Sequence, residues 1–385
     1  MTGVRVAFPA IIDVVSLDGL NGTRLEGTLY DASGAAVASA GDINGDGFDD
    51  VIINAAGGYG TYINNPGGSY VVFGKAGGLG ALVELSGLDG SDGFKLSGSS
   101  YGVQSVASAG DVNGDGYDDL ILGAPSDGVG GVSYVVFGKA SGFAADINLS
   151  TLNGANGFAL NGVALGNEAG WSVASAGDVN NDGYDDLIIG ATSAGTPGVW
   201  QGASYVVFGK AAGFNASTNL SSLNGTNGFA IIGGKANDEG GWSVASAGDV
   251  NGDGYDDVIV GARSADPNGD QSGASYVVFG KGSGFTSTLN ISTLNGTNGF
   301  KLSGGAISDF SGFSVSSAGD INGDGFADLI VGAPGVSLNG SGSGASYVVF
   351  GKASGFTANL NLSTLTGSNG CLLYTSPSPR DTPCY

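Results

Sequence analysis

A nine-residue phrase recurs five times along the chain and sets the period of everything around it. The copies begin at Asp42, Asp111, Asp178, Asp249 and Asp320, so their starts lie 69, 67, 71 and 71 residues apart. Each copy carries a side-chain oxygen at its first, third, fifth and ninth places. A regular period of this length predicts a repeat architecture, in which each unit is one supersecondary element that packs on its neighbours.

Each unit contains the same succession of short β-branched and aromatic runs. In the fourth unit, Trp242-Ser-Val-Ala-Ser precedes the phrase, Val258-Ile-Val-Gly-Ala follows it, and Ser275-Tyr-Val-Val-Phe and Phe300-Lys-Leu-Ser come later. Gly, Asn and Asp bound these runs, which is typical of strands and not of helices. Roughly four strands per unit predict an all-β fold built from the blades of a β-propeller. Because one blade cannot bury both of its faces, neighbouring blades must pack face to face.

Composition excludes several classes of function. The chain has 35 acidic residues against 12 Lys and Arg, a formal charge of −23, and no basic cluster, so nucleic acid is not an expected partner. No apolar run reaches the roughly 18 residues that a membrane-spanning helix needs, so no membrane insertion is expected. The chain contains no histidine, and it shows neither a nucleophile elbow nor an acidic pair outside the phrases. The sequence therefore indicates a protein that is not an enzyme.

The phrase has the composition of a calcium loop. Calcium takes roughly six to eight oxygen ligands, and alternate residues of a tight loop can direct their oxygens toward one point. We expect side-chain ligands from the first, third, fifth and ninth places and a backbone carbonyl from the seventh, for about five ions in all. The predicted ligands are Asp42, Asn44, Asp46, Phe48 and Asp50; Asp111, Asn113, Asp115, Tyr117 and Asp119; Asp178, Asn180, Asp182, Tyr184 and Asp186; Asp249, Asn251, Asp253, Tyr255 and Asp257; and Asp320, Asn322, Asp324, Phe326 and Asp328.

Other interpretations of the phrase fit less well. An EF-hand needs a Glu at its twelfth place and flanking helices, but Leu122 and Val260 stand there. Asn, Asp and Gly also form ordinary turns, although five copies in phase with a strand period favour a metal site. Magnesium demands near-octahedral geometry and keeps several waters, which makes calcium the better candidate. The role expected for calcium is mainly structural. The eighth-place Asp118 is expected to face outward or support its own loop, so that Ala327 in the fifth copy leaves that site intact.

Residues 17–370 resemble a known family. Gly261-Ala262, Gly332-Ala-Pro334 and Phe350-Gly351, together with the Asp-rich loops, are similar to the FG-GAP repeats of the integrin α-subunit propeller and its bacterial relatives. The resemblance implies a calcium loop between the first two strands of each blade, on the lower face, and ligand binding on the opposite face. The regular Asp-x-Asn-x-Asp pattern favours the bacterial type.

The ends of the chain leave the number of blades open. Residues 17–27 match the last strand of a unit, and after Gly370 the composition changes. We therefore assign residues 1–370 to the propeller and residues 371–385 to a non-repeat tail that is not native. The chain is then either a fragment of a seven-bladed propeller, the usual number in the family, or a closed five-bladed ring in which the N-terminal strand completes the fifth blade.

The expected function is adhesion, or binding of a protein or glycan, by a secreted or cell-surface propeller. The ligand would meet two sets of loops opposite the calcium loops. The first set comprises 59–62, 196–200 and 263–266, and the second comprises 167–168 and 237–239. The alternatives are the propeller part of a secreted glycan- or lipid-acting enzyme, or a passive spacer in a larger exported protein. Trp171, Trp242 and Phe313 each lie seven residues before a loop Asp and are predicted to pack between blades.

Overall fold

Short strands joined by glycine-rich turns make up the protein, as seen in a computed structural model that describes residues 14–19, 21–56, 67–195, 198–211, 213–338 and 340–373. The predicted all-β fold of propeller blades is confirmed. Candidate loop residues 59–62, Thr196 and Pro197, and residues 374–385 of the expected tail, lie outside the described residues.

The strands fall into five repeats after an initial strand, β1 (Arg24–Glu26). The first repeat contains β2 (Ser33–Gly41), β3 (Asp50–Ala55), β4 (Gly68–Val72), β5 (Leu82–Glu84) and β6 (Gly93–Ser97). The second contains β7 (Ser105–Gly110), β8 (Asp119–Ala124), β9 (Val132–Val136), β10 (Asp146–Asn148) and β11 (Gly157–Asn161). The third contains β12 (Ala169–Gly177), β13 (Asp186–Ala191), β14 (Ala203–Val207), β15 (Ser217–Asn219) and β16 (Gly228–Ile232).

The last two repeats have the same order. The fourth contains β17 (Ser243–Gly248), β18 (Asp257–Ala262), β19 (Ala274–Val278), β20 (Thr288–Asn290) and β21 (Gly299–Ser303). The fifth contains β22 (Ser314–Gly319), β23 (Asp328–Ala333), β24 (Ala345–Val349), β25 (Asn359–Asn361) and β26 (Gly370–Leu373). Single 3₁₀ turns lie at Val14–Ser16, Leu85–Gly87, Leu149–Thr151, Leu220–Ser222, Ile291–Thr293 and Leu362–Thr364.

Each blade is an antiparallel four-stranded meander, and in blades 1 to 4 the outer edge is extended by the following repeat. Blade 1 consists of β2, β3, β4 and β6, and β10 of the second repeat pairs parallel with β6. The same parallel addition joins β15 to blade 2, β20 to blade 3 and β25 to blade 4. Successive blades are therefore tied together by backbone hydrogen bonds as well as by packing.

The first strand does not close the ring. β1 pairs parallel with β5, in the way that β6 pairs with β10, so it takes the position of a fourth strand before blade 1. The match of residues 17–27 to a last strand is thus confirmed, but the interpretation that this strand completes blade 5 was wrong. β26 is the fourth strand of blade 5 and places Leu372 opposite Tyr347. This strand includes Cys371–Leu373, three residues beyond the expected end of the propeller.

The core lies between the blades. Every residue of the second strands β8, β13 and β18 is buried, because a neighbouring sheet covers each face of these strands. The first strands β2, β7, β12, β17 and β22 contact one another in that order, which places them innermost, around the axis of the propeller.

A cluster of three phenylalanines repeats at the blade junctions. Phe229 at the start of β16 is fully buried and stacks on Phe285 of the next repeat, with ring centroids 4.7 Å apart, and Phe208 packs against both rings. Equivalent clusters surround Phe94, Phe158 and Phe300. Cys371 takes this position in blade 5. The phenylalanine clusters therefore link each of the first four blades to its successor.

The antiparallel order gives the propeller two distinct faces. The loop between the first and second strands and the connection between the third and fourth lie on one face, which we call the loop face. The remaining turns, including those that lead from one blade to the next, lie on the opposite face. No helix among the described residues has the length and apolarity that a membrane crossing requires.

Candidate metal centre

The nine-residue loops occupy equivalent places on the loop face. Each follows the first strand of a blade, and its ninth residue is the first residue of the second strand. Glycines at the fourth and sixth places take left-handed conformations, as at Gly114 with φ 72° and Gly116 with φ 88°. These turns fold the alternate side chains back over the loop. The predicted joining of the first two strands by this loop is confirmed.

Backbone donors hold the predicted ligand side chains in place. In the first loop, Asp42 accepts hydrogen bonds from the N–H groups of Asp46 at 3.0 Å and Gly47 at 2.9 Å. Asn44 Oδ1 accepts from the Asp46 N–H at 2.9 Å, and Asp46 Oδ1 accepts from the Phe48 N–H at 3.0 Å. Each of these oxygens keeps a further lone pair. The loop can therefore supply metal ligands without breaking its own hydrogen bonds.

The ninth-place carboxylates are the most buried members of the set. Asp119 is fully buried and accepts hydrogen bonds from the N–H groups of Val112 at 3.1 Å and Gly138 at 2.9 Å. Burial, together with the nearby Asp115 and Asp111 charges, raises the pKa of Asp119 to about 8, although these two hydrogen bonds lower it. The same causes raise the pKa to about 8 at Asp186 and Asp257, and to about 7 at Asp50.

The donor set fits a hard cation. Asn180 Oδ1, at the third place of the third loop, is buried without a hydrogen-bond partner, and the other such side-chain atoms in the described residues are serine hydroxyls. In the described part of the chain, no group of three or more His, Cys, Asp and Glu side chains alone could hold a metal ion. The three carboxylates at the first, fifth and ninth places of each loop therefore do not form a site by themselves, and an ion would also need the third-place Asn side chain and the seventh-place carbonyl. Buried, like-charged oxygens of this kind are stabilised by a cation.

Sequence reasoning missed the partner of the eighth-place Asp. Asp118 does not support its own loop, because its Oδ2 accepts a hydrogen bond at 2.8 Å from the N–H of Asp42, in the loop of the preceding blade. Ala327 therefore leaves the internal hydrogen bonds of the fifth loop in place, such as Gly325 N–H to Asp320 at 2.9 Å, and instead removes a carboxylate beside the fourth loop. The partner of Asp118 lies 76 residues away, so no local pattern in the sequence reveals it.

The predicted packing of Trp171, Trp242 and Phe313 between blades is confirmed. The rings of Trp171 and Trp242 lie 4.9 Å apart, and those of Trp242 and Phe313 lie 5.8 Å apart. The Arg263 guanidinium lies 3.2 Å from the centroid of the Trp242 ring, and its Nε donates to Glu239 at 2.8 Å. Two of the candidate ligand loops, 263–266 and 237–239, therefore contact each other.

Large apolar side chains are exposed on the opposite face. The most exposed are Leu165 at 82%, Leu29 at 79% and Tyr101 at 76%. Ile307, Leu338, Trp200 and Val163 belong to turns of the same face and are also exposed. Backbone bonds fix these turns, since the Trp200 carbonyl accepts a hydrogen bond from the Glu239 N–H at 3.3 Å. This face thus combines exposed apolar groups with a defined backbone.

Comparison with known proteins agrees with this architecture. The model of the FG-GAP repeat matches residues 33–72, 103–136, 169–207, 240–278 and 311–349. These five segments extend from the first strand through the third strand of the five blades and include all five loops.

Curated relatives share parts of the chain. Integrin alpha pat-2 of Caenorhabditis elegans is 32% identical over 58% of this chain and 17% of its own length. Phosphatidylinositol-glycan-specific phospholipase D of Bos taurus is 33% identical over 48% of this chain and 22% of its own. Integrin alpha-V of Gallus gallus is 34% identical over 43% of this chain and 15% of its own. The matched region is thus less than a quarter of each of these relatives. With five matched repeats and a bladed fold, the chain belongs to the FG-GAP repeat proteins and forms a propeller like that of the integrin α subunit.

Proposed function

We propose that the five loops bind calcium and that the ions hold together the inner hairpin of each blade. The buried ninth-place carboxylate carries this proposal, because Asp119 lies among like charges at a point where a cation would stabilise it. The first-, third-, fifth- and ninth-place side chains and the seventh-place carbonyl would hold the ion. When bound, the ion supplies positive charge that offsets the repulsion among these carboxylates.

Calorimetric titration of the metal-free protein with calcium tests the proposal. We expect saturation near five ions per chain and no comparable binding of magnesium. The variant Asp115→Ala, which removes one fifth-place carboxylate, should lower the stoichiometry by about one ion. Asp92→Ala, at an exposed turn, is the matched control and should leave it unchanged. Absence of calcium binding by the folded protein would contradict the proposal.

We further infer that the protein is an extracellular or cell-surface binding module, not an enzyme. Calcium loops of moderate affinity suit the millimolar calcium found outside cells. The exposed apolar side chains of the opposite face support binding of a macromolecular ligand there, since such patches commonly mark interaction sites. Aliphatic residues such as Leu165 and Ile307 favour a protein, whereas Tyr101 and Trp200 could also stack on a glycan.

Surface variants can identify the binding face. We expect Leu165→Ser and Trp200→Ala to weaken binding to a panel of extracellular-matrix proteins and to a glycan array at least tenfold on the probes that the parent protein binds. Leu82→Ser is the control, because Leu82 is 41% exposed but belongs to β5, away from the turns of the opposite face. If all three variants bind like the parent protein, the ligand does not use this face.

The similarity to a phospholipase D favours a second candidate, a propeller that belongs to a lipid-acting enzyme. Hydrolysis of phosphatidylinositol-glycan anchors by the purified chain would support this function. If the folded protein shows neither ligand binding nor turnover, this result would support a passive spacer in a larger exported protein.

A further inference from the structure

Each calcium loop is held by the blade that follows it. The eighth-place carboxylates Asp118, Asp185 and Asp256 accept hydrogen bonds from the first-place N–H of the preceding loop, at 2.8, 2.8 and 3.0 Å. The eighth-place N–H also donates to the carbonyl of the same first-place residue, at 3.0 to 3.4 Å across the four junctions. Both backbone groups of a predicted first-place ligand are therefore positioned by the next repeat.

The following blade makes two more contacts with the preceding loop. The N–H of Lys139 donates to the carbonyl of Ile43, the second-place residue of loop 1, at 3.0 Å, and Lys210, Lys281 and Lys352 repeat this contact. The ring of Tyr117 also lies so close to Gly45 that a Cβ there would be 2.3 Å from Tyr117 Cε1. The fourth-place glycine of loop 1 is thus needed for the next blade to approach.

The third loop keeps the contact by different means. Asn181 replaces the fourth-place glycine, takes a left-handed conformation with φ 55°, and donates through Nδ2 to the carbonyl of Gly254 at 3.1 Å. Gly254 is the sixth residue of loop 4. At this junction, a hydrogen bond from the Asn181 side chain joins loops 3 and 4 in place of the packing of an aromatic ring on a fourth-place glycine.

The contacts from the following blade come from residues inside its own loop. The seventh residue offers its carbonyl to its own predicted ion, while its ring packs on the preceding loop. The eighth residue lies between that carbonyl and the buried ninth-place ligand, and it supports the preceding loop. An ion that orders one loop therefore also orders the residues that position the ligands of the loop before it. Two sites that share an ordered element in this way are energetically linked.

The fourth junction lacks one of these contacts. Ala327 has no side-chain acceptor for the N–H of Asp249. Gly248 is nevertheless a glycine, like the residues that leave room for the eighth-place carboxylate in the other three junctions. In those junctions, a Cβ on Gly41, Gly110 or Gly177 would lie about 2 Å from the eighth-place Oδ2 of the next blade. The site for an aspartate at position 327 is thus present, but the aspartate is absent.

The fifth loop shows how much the following blade contributes. Its second-place residue, Ile321, is 57% exposed, whereas the equivalent Ile43, Val112, Val179 and Val250 are at most 1% exposed. In the described structure, no later blade packs on this loop. A following blade therefore buries the loop that precedes it.

We propose that each of the first four calcium sites is completed by the next blade, with the eighth-place aspartate as a positioning residue, and that the ions consequently bind with positive linkage between neighbouring loops. This inference rests on the proposed calcium binding and adds its determinants. The fourth loop, opposite Ala327, is the weakest of the four loops that have a following blade.

Calcium titration of matched variants tests the linkage. Asp253→Ala removes a fifth-place ligand of the fourth site. The phase of the calcium titration that this variant loses therefore gives the affinity of the fourth site in the parent protein. We expect this affinity to be the lowest among loops 1 to 4, and Ala327→Asp to raise it about tenfold, the effect of one charge-assisted hydrogen bond. Asp185→Ala should weaken the second site by a similar factor, and the phase abolished by Asp115→Ala identifies that site. The near-isosteric Asp185→Asn should weaken it less, because its amide oxygen can still accept the hydrogen bond and only the charge is lost.

The control is Asp49→Ala. Asp49 is also an eighth-place residue, but it is exposed and no preceding calcium loop lies beside it in the described chain, so its loss should leave the affinities of the second and fourth sites unchanged. Circular dichroism verifies that each variant folds. Ala327→Asp adds a hydrogen bond, so its result does not depend on whether the protein tolerates the removal of a side chain. The proposal is wrong if calcium binds but Ala327→Asp and Asp185→Ala titrate like the control. A folded parent protein that binds no calcium would overturn the proposed function itself.

Discussion

At the scale of single residues, four of the ninth-place aspartates, Asp50, Asp119, Asp186 and Asp257, should make metal-free stability depend on pH. Burial raises the pKa of Asp119 to about 8 from an ordinary value of 3.8, so between these values the folded protein holds a proton that the unfolded chain has released. Stability of the metal-free protein should therefore fall as pH rises from about 4 to 8, with the same sign at Asp186 and Asp257. Melting temperatures of chelator-treated protein across this range measure the slope.

Saturating calcium should remove this slope, because the ion replaces the proton on the carboxylate. The gain in melting temperature on adding calcium is then larger at pH 8 than at pH 5.5. Asp119→Asn, which cannot ionise, should reduce the metal-free slope by the share of one carboxylate, whereas Asp92→Asn at an exposed turn should not. A metal-free melting temperature that rises with pH would contradict this assignment.

The sequence predicts a set of calcium ligands, but the hydrogen bonds that hold these residues from the next blade could not be predicted from it. Side chains at the first, third, fifth and ninth places follow from the chemistry of calcium and the spacing within one loop. The hydrogen bond from the Asp42 N–H to Asp118 joins two loops, and it forms only because the packing of the two blades brings these loops together.

At the scale of structural elements, the phenylalanine clusters should dominate the junctions between blades. Phe229 is fully buried and stacks on Phe285 at an interplanar angle of 11°, so Phe229→Ala should cost about 3–5 kcal/mol through lost burial and a cavity. Phe313→Ala is the comparison, because Phe313 is 41% exposed, and it should cost much less. Denaturant titration measures both free energies of unfolding, and similar costs would contradict a special role for the cluster.

The number and order of antiparallel strands could be predicted because each strand is a local apolar run bounded by turns. The parallel strands β5, β10, β15, β20 and β25 were not recognised as extensions of the preceding blade. They have three residues each, none of their residues is fully buried, and their partners belong to another repeat. Sequence periodicity therefore identified the blade but not the element that fastens it to its neighbour.

At the scale of the whole molecule, closure depended on a pairing that no local pattern specifies. Residues 17–27 look like a fourth strand, and two blades could accept such a strand. The structure pairs β1 with β5 and leaves blade 5 with its own β26, so no sheet closes among the described residues. The pattern thus predicted the type of strand correctly and could not predict its partner.

Removal of calcium should destabilise the molecule as a whole. The formal charge of −23 would become about −13 with five ions bound, since each brings about +2. Ligand held at 100 times its dissociation constant stabilises a folded protein by about 2.7 kcal/mol per independent site. We therefore expect chelation to lower the melting temperature substantially and to broaden the transition, because blades in a repeat array can unfold separately when their links weaken.

Scanning calorimetry in calcium, in chelator and in chelator with added sodium chloride can separate two causes of this loss. If general charge repulsion dominated, salt would restore the transition by screening exposed charges. We expect little recovery, because the ninth-place carboxylates are buried and salt screens buried charges weakly. Asp115→Ala should reproduce only part of the loss in calcium, because it disables one blade of five. A melting curve that chelation leaves unchanged would show that the loops close without a metal.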